Sequence, residues 1–552
     1  MSGLKRLFEP GRIGDLAVKN RLVMAPMGTY SCDEDGFITE KVLRYYGARA
    51  DGGVGLIIVQ AAAVAEGGSS PRGMSLYDDR YVPGMKELAR VIHSGGAKAV
   101  IQLNHLGRTM AEIRKGHRKP ESIDVMAPSS VPCVRVDTVP REMSWQDMQL
   151  LLNAFVDSCR RAKEAGFDGA EIHAAHGHLL HSFLSPFTNR RSDQYGGSLE
   201  NRARLICEIL DAVRRRFAPD FALIVRVSGT ELMEGGIQIE DVVFQAPLFV
   251  KAGADAIHVT ACDADYPIWL VPSYLEPDGA MVHLAEAVKK AVAVPVIAVG
   301  KIGDPLLAER ILEEGKADFV AMGRPLFADP ELPNKAREGR LEDINRCIFC
   351  NNCFMTVLVG GKLSSISCTV NPSLLAEADS VLKPTARPQK IMVAGGGLAG
   401  MLAARDLALR GHRVTLYERS DRLGGQWNTV CIEDGKSGFA LFFEYLKRGL
   451  KKAGVEVVLN TEVTPALVME IQPDTVVVAS GASPKRPDVP GVDRKNVVQA
   501  VDVITGKAAV GDRVVIIGER NTGMEIALSL AKRGKKVTLA TSRELGQSFR
   551  AI

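Results

Sequence analysis

The 552-residue sequence lacks any uninterrupted apolar run of the length, about eighteen residues, that a membrane-spanning helix needs. Its first residues, MSGLKRLFEPGRIGDL, contain no apolar segment of the kind found in a signal peptide. Basic residues never run longer than the three arginines of VRRRF, and the formal net charge is only +4. These absences predict a cytoplasmic protein that binds a small molecule and associates with neither a membrane nor nucleic acid.

Cysteine is scarce, with ten residues in the whole chain. Six of them are scattered without any pairing rhythm, which argues against a disulfide framework and favours a reducing compartment. No tract of biased composition indicates disorder, since 46% of the residues are hydrophobic and 24% are charged. A chain of this length exceeds what one hydrophobic core can organise, so we expect several domains.

Residues 1–343 alternate apolar runs with amphipathic helical patterns. Eight runs rich in Val, Ile and Ala can be counted, at residues 21–27, 55–64, 98–105, 169–175, 222–228, 256–261, 295–300 and 319–326. This alternation predicts an α/β fold whose parallel strands close into a (β/α)8 TIM barrel. Such a barrel keeps its active site at the carboxyl ends of its strands. The polar or glycine residues found there are Gln102, Asn104, His173, Arg226, Gly300 and Arg324.

Four cysteines are concentrated in RCIFCNNCFMTVLVGGKLSSISC, within a segment and linker that we place at residues 344–385. Cys347, Cys350 and Cys353 form C-x-x-C-x-x-C, and Cys368 follows alone. Four thiolates can hold zinc or an iron–sulfur cluster, but zinc sites usually come as two separated C-x-x-C pairs. The observed spacing favours a [4Fe-4S] cluster, and a structural zinc site is the alternative.

A second architecture begins after the proline-containing linker LKPTARPQK. The stretch KIMVAGGGLAG predicts a strand that turns into a helix, and the next strand ends on an acid that can bond a ribose hydroxyl. The sequence DRLGGQW then offers a further approach of the backbone to a dinucleotide. We expect a Rossmann-like domain over residues 386–505. Its dinucleotide-binding positions are Gly395, Gly397, Gly400, Glu418, Gly425 and Gln426.

Residues 506–552 repeat the rhythm with DRVVIIGERNTG, which predicts the start of a Rossmann-like NAD(P)-binding domain. Gly518 and Gly523 are present, but Arg520 replaces the middle glycine, so a shell that binds no nucleotide is the alternative. The second strand ends in TSR without an acid, which suits a 2′-phosphate better than a free ribose. We expect this domain to be incomplete at Ile552.

The barrel motifs MAPM, QLNHLGR, EIHAAHGHLLHSFLSPFTNRRSDQYGGSLENRARL, VRVS and VAMGRPLFADP, followed by the cysteine segment and GGGLAG, resemble the old yellow enzyme superfamily. Within it, the sequence is similar to the three-part branch of 2,4-dienoyl-CoA reductase, 2-enoate reductase and trimethylamine dehydrogenase. The resemblance covers essentially the whole chain. It implies FMN in the barrel, a [4Fe-4S] cluster at the cysteines, FAD in the first Rossmann-like domain and NADH or NADPH in the second.

The resemblance also implies which residues bind FMN. Those around the isoalloxazine would be Ala25, Pro26, Met27, Ala62, Gln102 and Arg226, and those around the phosphate would be Gly300, Gly323 and Arg324. The position of Arg226 is chemically reasonable, because a cation near the flavin N1 stabilises the anionic reduced form.

Four of the ten histidines lie in HAAHGHLLH. In the family, the pair at His173 and His176 binds the carbonyl oxygen of the substrate. The related reductases place a proton-donating tyrosine at the position of His178, and an imidazole can also donate a proton. The alternatives for this role are Tyr30, Asp263 and Tyr266. His181 is expected to be a core residue.

Together these features predict an NAD(P)H-dependent ene-reductase that reduces a C=C bond conjugated to a carbonyl, in an enoyl-CoA, an enoate or an enone. Electrons would pass from NAD(P)H to FAD, through the cluster to FMN, and then to the substrate. The alternative is an amine dehydrogenase of the trimethylamine dehydrogenase type. Gly28 stands where that enzyme links its flavin to a cysteine, so no covalent flavin can form there. We also expect a homo-oligomer.

Overall fold

The computed structural model describes residues 3–541 except 69, 111–123, 135–137, 218, 264, 266–269, 359–364, 433–434, 487 and 519–520. The chain divides into two compact units, Met1–Asp379 and Ser380–Ile552. Among the helices of the described residues, none combines the length and the apolar composition that a membrane crossing requires.

The first unit is built on a closed barrel of parallel strands. Its strands in chain order are β1 (Gly11–Ile13), β2 (Leu16–Val18), β3 (Leu22–Met24), β4 (Leu56–Ala63), β5 (Met74–Ser75), β6 (Lys98–Asn104), β7 (Met126–Ala127), β8 (Arg141–Glu142), β9 (Gly169–Ala174), β10 (Ala222–Ser228), β11 (Ala256–Thr260), β12 (Val296–Ala298) and β13 (Phe319–Met322). Around the barrel the order is β3, β13, β12, β11, β10, β9, β6 and β4, and β3 pairs with β4 to close the ring. The predicted eight-stranded barrel is therefore confirmed.

Helices cover the outside of the barrel and its carboxyl end. Those described in the first unit are α1 (Glu40–Asp51), α2 (Val82–Ser94), α3 (Trp145–Glu164), α4 (Leu179–Leu184), α5 (Leu199–Phe217), α6 (Ile239–Lys251), α7 (Val282–Lys289), α8 (Pro305–Glu313), α9 (Arg324–Ala328), α10 (Leu332–Arg337) and α11 (Asn352–Leu358). The longest, α3, begins with a capping box: the Ser144 hydroxyl accepts from the backbone N–H of Asp147, whose carboxylate accepts from the Ser144 N–H at 2.7 Å. This reciprocal pair satisfies two N–H groups that a helix start otherwise leaves without partners.

Side chains along each strand alternate between the barrel interior and the surrounding helices. The amino-terminal half of the interior is apolar and is filled by a cluster that includes Leu56, Val100, Ile224, Ala256 and Phe319. The β1–β2 hairpin adds Ile13 and Val18 to this cluster. A side chain at Gly11 would place its Cβ 2.5 Å from the Phe319 ring, so the hairpin can pack there only with glycine. Polar interior residues are left to the carboxyl half.

The second unit has the alternation of a Rossmann-like fold. Its strands are β14 (Lys390–Ala394), β15 (Arg413–Tyr417), β16 (Glu456–Val458), β17 (Thr475–Val478), β18 (Arg513–Ile517) and β19 (Lys536–Ala540), and its described helices are α12 (Leu398–Leu409), α13 (Trp427–Val430), α14 (Ser437–Lys452), α15 (Pro465–Ile471), α16 (Ala500–Ile504) and α17 (Asn521–Lys532). A parallel sheet runs in the order β16, β15, β14 and β17, and β18 and β19 form a separate parallel pair. The predicted fold class, a TIM barrel followed by Rossmann-like folds, is confirmed.

Candidate active site, cysteine pocket and dinucleotide site

A layer of buried polar side chains lies inside the barrel next to the apolar cluster. Gln102 Nε2 donates to Glu171 Oε1 over 2.7 Å, and the other oxygen of Glu171 lies 2.7 Å from His258 Nδ1. Arg226 lies in β10, between β9 and β11, and is in register with His173 of β9 on one side and His258 of β11 on the other. Burial opposes ionisation of Glu171, but His258 and Arg226 outweigh it and hold the pKa of Glu171 below its usual value. The layer therefore holds a carboxylate and a guanidinium cation.

The predicted FMN residues lie at the carboxyl ends of the barrel strands, and two of the glycines among them are packed closely against side chains. Gly300 has φ +119°, and a Cβ there would lie 2.7 Å from Met281. A Cβ at Gly323 would lie 2.7 Å from the sulfur of Met27. The buried Nε of Arg226 has no hydrogen-bond partner among the described residues, so it can donate to a ligand. The partnerless Nε of Arg226 and the position of these residues at the carboxyl ends of the strands fit FMN. The residues concerned follow β3 (Ala25, Pro26, Met27), lie in β4, β6 and β10 (Ala62, Gln102, Arg226), or follow β12 and β13 (Gly300, Gly323).

His173 and His176 form a buried imidazole pair at the end of β9. The backbone of His176 has a positive φ of 64°, and its N–H donates to Ser228 Oγ at 3.2 Å. Nδ1 of His176 lies 3.3 Å from Nε2 of His173, and Nε2 of His176 lies 3.1 Å from Thr260 Oγ1. Burial lowers the pKa of both histidines well below the usual value. Both rings are therefore neutral at neutral pH, so each carries one N–H donor and one lone pair.

His178 lies beside this pair, with its ring centroid 5.0 Å from that of His173. Its Nδ1 is 3.1 Å from Thr109 Oγ1, and that hydroxyl donates to the Leu106 carbonyl over 2.8 Å. The hydroxyl proton is thus in use, so Nδ1–H donates to Thr109 and Nε2 carries the lone pair. Burial lowers the pKa of His178 to about 4. At neutral pH its Nε2 is therefore an acceptor.

The alternative proton donors named from the sequence occupy different surroundings. Tyr30 has a positive φ of 52°, and its ring lies against Gly28, where a Cβ would be 3.3 Å from the ring. Asp263 is buried and accepts from Arg108 at 2.9 Å. Tyr266 lies outside the described residues.

A buried cluster of acids that the sequence did not predict lies against α4. His181 Nε2 is 3.4 Å from Glu231 Oε1, and its Nδ1 is 3.5 Å from Asp263 Oδ2. Arg108 donates to both Asp263, at 2.9 Å, and Asp265, at 2.7 Å. Burial, reinforced by the neighbouring Asp263 carboxylate, raises the pKa of Glu231 to about 8. The two carboxyl groups therefore retain a shared proton at neutral pH.

The same cluster contains the residue types of a metal site, but its hydrogen bonds indicate that it holds protons instead. One atom of each of His181, Glu231 and Asp263 has no hydrogen-bond partner among the described residues. Nδ1 of His181 accepts the backbone N–H of Gly177, so its proton sits on Nε2 and points to Glu231. In this tautomer Nε2 of His181 has no lone pair for a metal. Glu231, whose pKa is raised, keeps a proton at neutral pH, and this proton lies between the carboxyl groups of Glu231 and Asp263.

Two interior carboxylates were missed by the sequence analysis. Glu171 could have been found, because it is the charged residue of GAEIHAA and shares the interior face with His173 two positions later. Glu231 follows β10 in a loop without any spacing rule. Its Oε2 accepts from Ser185 Oγ at 2.8 Å and from the Ile237 N–H at 2.6 Å. Only the folded chain brings these partners together.

All four cysteines of the C-x-x-C-x-x-C segment line one pocket, here called the cysteine pocket. Its lining residues are Arg324, Phe327, Cys347, Ile348, Cys350, Asn351, Cys353, Cys368, Thr369 and Val370. None of these four cysteines forms a disulfide. Burial raises the pKa of Cys347 to about 12 and that of Cys353 to about 11, so these thiols ionise at neutral pH only when a metal displaces their protons. Four sulfurs in one pocket fit a four-thiolate metal centre.

Arg324, which the resemblance assigns to the FMN phosphate, lies at this cysteine pocket. Its Nη1 donates to Asn351 Oδ1 at 2.5 Å and to the Pro272 carbonyl at 2.6 Å. The guanidinium carbon is 4.8 Å from the centre of the Phe349 ring. The side chain therefore has fixed partners on the cysteine segment.

In the second unit, β14 turns into α12 through the glycines predicted to bind a dinucleotide. Gly395 has φ +115°, and a Cβ at Gly400 would lie 1.9 Å from the Gly395 carbonyl oxygen, so strand and helix pack in direct contact. A Cβ at Gly397 would meet nothing within 4 Å, which leaves the helix start open to a ligand. Glu418 accepts a backbone N–H of this turn at 2.7 Å. This geometry is that of a dinucleotide-binding turn.

The DRLGGQW loop approaches the same turn. Gly425 has φ +50°, and a Cβ there would lie 3.3 Å from the Cα of Gly397. Gln426 donates through Nε2 to the Ala482 carbonyl, so in this structure its amide is held by the protein. The loop therefore borders the open helix start.

The second strand–turn–helix repeats the close packing of the first. Gly518 has φ +137°, and a Cβ at Gly523 would lie 2.3 Å from its carbonyl oxygen. Arg520, which replaces the middle glycine of the motif, lies outside the described residues, as do the residues after Thr541. Nucleotide binding here stays a prediction.

Comparison with known proteins identifies two families along the chain. Residues 6–343 match the NADH:flavin oxidoreductase / NADH oxidase family, and residues 389–550 match the pyridine nucleotide-disulphide oxidoreductase family. NADH oxidase of Thermoanaerobacter brockii is 42% identical, over 98% of this chain and 83% of the relative. Cinnamate reductase of Clostridium sporogenes is 35% identical, over 97% of this chain and 82% of the relative.

Solved structures match the fold over nearly the whole chain. A 2-naphthoyl-CoA reductase in complex with 2-naphthoyl-CoA has a TM-score of 0.90 at 33% identity, covering 97% of this chain and 83% of that chain. Histamine dehydrogenase from Rhizobium sp. 4-9 has a TM-score of 0.88 at 28% identity, and the match covers 99% of this chain and 81% of that chain. The first family match spans more than half of the sequence, so the chain belongs to the NADH:flavin oxidoreductase / NADH oxidase family, in the old yellow enzyme-type branch that its motifs indicated.

Proposed function

We propose that this oxidoreductase is an NAD(P)H-dependent ene-reductase that reduces a C=C bond conjugated to the carbonyl of a CoA thioester or a carboxylic acid. The observation that carries the proposal is the neutral His173–His176 pair at the end of β9, the strand next to that of Arg226. Bound FMN would supply hydride at the barrel, and FAD with a [4Fe-4S] cluster would supply the electrons taken from NADH or NADPH.

The imidazole pair acts on the carbonyl oxygen of the substrate. His173 and His176 are uncharged, so N–H groups that exchange their contacts with each other and with Thr260 for the substrate would bind the oxygen without a strong ground-state ion pair. Negative charge develops on that oxygen as hydride reaches the β-carbon, and fixed donors in a buried site stabilise that charge more than they stabilise the neutral carbonyl. Arg226 adds a positive charge to the same part of the barrel.

Proton delivery to the α-carbon is assigned to His178, which occupies the family's tyrosine position, with Tyr30 as the alternative. With a pKa of about 4, His178 cannot store the proton as an imidazolium at neutral pH. It would therefore act through a transient imidazolium: Nε2 takes a proton from solvent and passes it to the α-carbon, while Nδ1–H stays on Thr109. Comparing His178→Phe with Tyr30→Phe separates the two assignments, because only loss of the true relay slows product formation at saturating reductant.

Cys347, Cys350, Cys353 and Cys368 are assigned to the [4Fe-4S] cluster. The supporting observation is that all four line one pocket while each of the first three lies on a short, sharply bent segment. Phe349 and Asn351, which lie between them, have positive φ values of 51° and 58°. Iron, zinc and acid-labile sulfide analysis of oxygen-protected protein tests this assignment, and zinc without iron would contradict it.

An amine dehydrogenase is the second candidate, favoured by the similarity to histamine dehydrogenase. Gly28 leaves no cysteine at the position of a covalent flavin link, so this chain lacks one feature of the trimethylamine dehydrogenase type. The histidine pair serves an oxyanion better than it serves an amine, because neutral N–H donors stabilise negative charge. The ene-reductase is therefore the function that the site supports best.

Product analysis under anaerobic conditions tests the proposal. The purified protein is incubated with NADH or NADPH and with cinnamate, cinnamoyl-CoA, short enoyl-CoA esters and cyclic enones, and separately with secondary and tertiary amines. We expect products that gain two hydrogens from at least one unsaturated carbonyl compound. Oxidation of amines with no reduction of any of these compounds would assign the chain to the second candidate.

A further inference from the structure

Arg324 is a buried cation that faces sulfur. It is the first residue of α9, directly after Gly323, and only 7% of it is exposed. The cysteine pocket that it lines contains all four cysteines of the segment. Its strongest electrostatic neighbours are the thiols of Cys347 and Cys353. A guanidinium in such a position acts on whatever charge the thiolates and their metal carry.

Among the described residues, Arg324 forms no ion pair at contact distance, and the one carboxylate among its main electrostatic neighbours, Glu276, acts less strongly than the three thiols. Other arginines of the region behave differently. Arg49 is fully buried and pairs with Glu377 at 2.6 Å, and Arg346, next to Cys347 in sequence, pairs with Asp304 at 2.8 Å. A buried charge without a counter-ion is costly. Two anions can therefore meet the charge of Arg324: the FMN phosphate that the resemblance assigns to it, and the thiolates of the cysteine pocket that it lines.

The cysteine segment holds the guanidinium in place through residues of its own motif. Asn351, between Cys350 and Cys353, accepts from Nη1, and Phe349, between Cys347 and Cys350, lies under the guanidinium plane at 4.8 Å. Both residues have positive φ values, so the bends that direct the cysteines inward also place these two partners. The orientation of Arg324 thus depends on the fold of the cysteine segment.

We propose that Arg324 compensates the charge of the metal centre held by the four cysteines and raises its reduction potential. The inference rests on the proposed [4Fe-4S] assignment. One-electron reduction adds one negative charge to the centre, and a fixed cation beside the sulfurs stabilises the reduced form more than the oxidised form. Arg324 acts through this field and is a positioning residue, not a catalytic one.

The experiment compares the reduction potential of the centre in four proteins purified anaerobically. These are the wild-type chain, Arg324→Gln, Arg324→Lys and the matched control Arg346→Gln, each titrated with reductant while the reduced centre is followed by electron paramagnetic resonance. The variants are compared at equal iron content. We expect Arg324→Gln to lower the ratio of reduced to oxidised centre, at a fixed applied potential, by about tenfold or more. This corresponds to a reduction potential lower by about 59 mV for a one-electron couple. Arg324→Lys keeps the charge and should keep most of the potential. The control should match wild type, because Asp304 already neutralises Arg346.

Each result decides the question. An unchanged potential in Arg324→Gln, with or without loss of FMN, would overturn the inference and leave Arg324 with the FMN phosphate alone. Should that variant fail to retain iron, Arg324→Met, an apolar side chain of similar length, replaces it with the same expectation. A wild-type chain that holds zinc and no iron would overturn the cluster assignment and this inference together, whereas iron with an unchanged potential overturns this inference alone.

Discussion

His258 and Glu171 form an imidazole–carboxylate pair inside the barrel, with Nδ1 and Oε2 2.7 Å apart and both side chains fully buried. The two residues belong to strands that are separated by the strand of Arg226. The pair therefore fixes a negative charge near Arg226, and the guanidinium in turn helps to hold the pKa of Glu171 below its usual value. Its effect on stability and on the site can be measured.

Glu171→Gln removes the negative charge but keeps the shape of the side chain. Arg226 is then left buried without its carboxylate, and we expect the free energy of unfolding to fall by about 3 kcal/mol. Urea unfolding of the full chain at pH 7 measures the change. Glu87→Gln is the matched control, because the Glu87–Arg90 pair is exposed and its loss should cost less than about 1 kcal/mol. Equal stability of Glu171→Gln and wild type would show that the pair does not support Arg226.

Glu231 makes stability depend on pH in a direction opposite to that of an ordinary acid. Its pKa of about 8 in the folded chain exceeds the value of about 4.5 expected when it is unfolded. The contribution of Glu231 to the free energy of unfolding is therefore fully present below about pH 4.5 and is lost as the pH rises through about 8. Melting temperatures of Glu231→Gln between pH 5 and 9 should show a smaller decline than those of wild type. Glu234→Gln, an exposed change in the same loop, should keep the wild-type decline.

His176 distinguishes substrate activation from flavin chemistry. His176→Phe removes an N–H donor to the carbonyl oxygen, so kcat/KM for an unsaturated substrate should fall by about 100-fold to 1,000-fold. His176→Asn restores a donor and should recover much of the loss. Reduction of the flavins by NADH, measured in a separate anaerobic half-reaction, should stay at the wild-type rate in both variants. Equal slowing of both half-reactions would mean that His176 supports the flavin and not the substrate.

Two glycines of one turn separate ligand binding from folding. A methyl at Gly397 meets no protein atom within 4 Å, so Gly397→Ala should fold normally but block the approach of a pyrophosphate to the start of α12. A methyl at Gly400 would lie 1.9 Å from the Gly395 carbonyl, so Gly400→Ala should destabilise the second unit. Chromatography of released flavins, with a melting curve, should show FAD lost and FMN kept in Gly397→Ala. Retention of FAD in Gly397→Ala would show that the dinucleotide does not bind at the start of α12.

The barrel could be predicted because its signal is repeated and local. Each apolar strand is read from neighbouring residues, and the carboxyl ends of parallel strands must meet, which is why Gln102, His173 and Arg226 could be placed together. Glu231 could not be placed, since its partner Ser185 lies on a distant segment and its bond to the Ile237 N–H depends on the fold of their common loop. The position of Arg324 after β13 could be read, but its direction is set by Asn351, which the spacing of the cysteine motif does not reveal.

The central claim is that electrons from nicotinamide reach an unsaturated carbonyl in the barrel by way of the cysteine pocket. The most direct measurement follows flavin absorbance anaerobically in wild type and in Cys353→Ser, first on addition of NADH or NADPH and then of cinnamate or an enoyl-CoA ester. In wild type, the nicotinamide should bleach both flavins and the unsaturated compound should restore their absorbance. In Cys353→Ser, bleaching should be partial and no recovery should follow. Bleaching of wild type by an amine such as histamine, with no response to NADH or NADPH, would contradict the account.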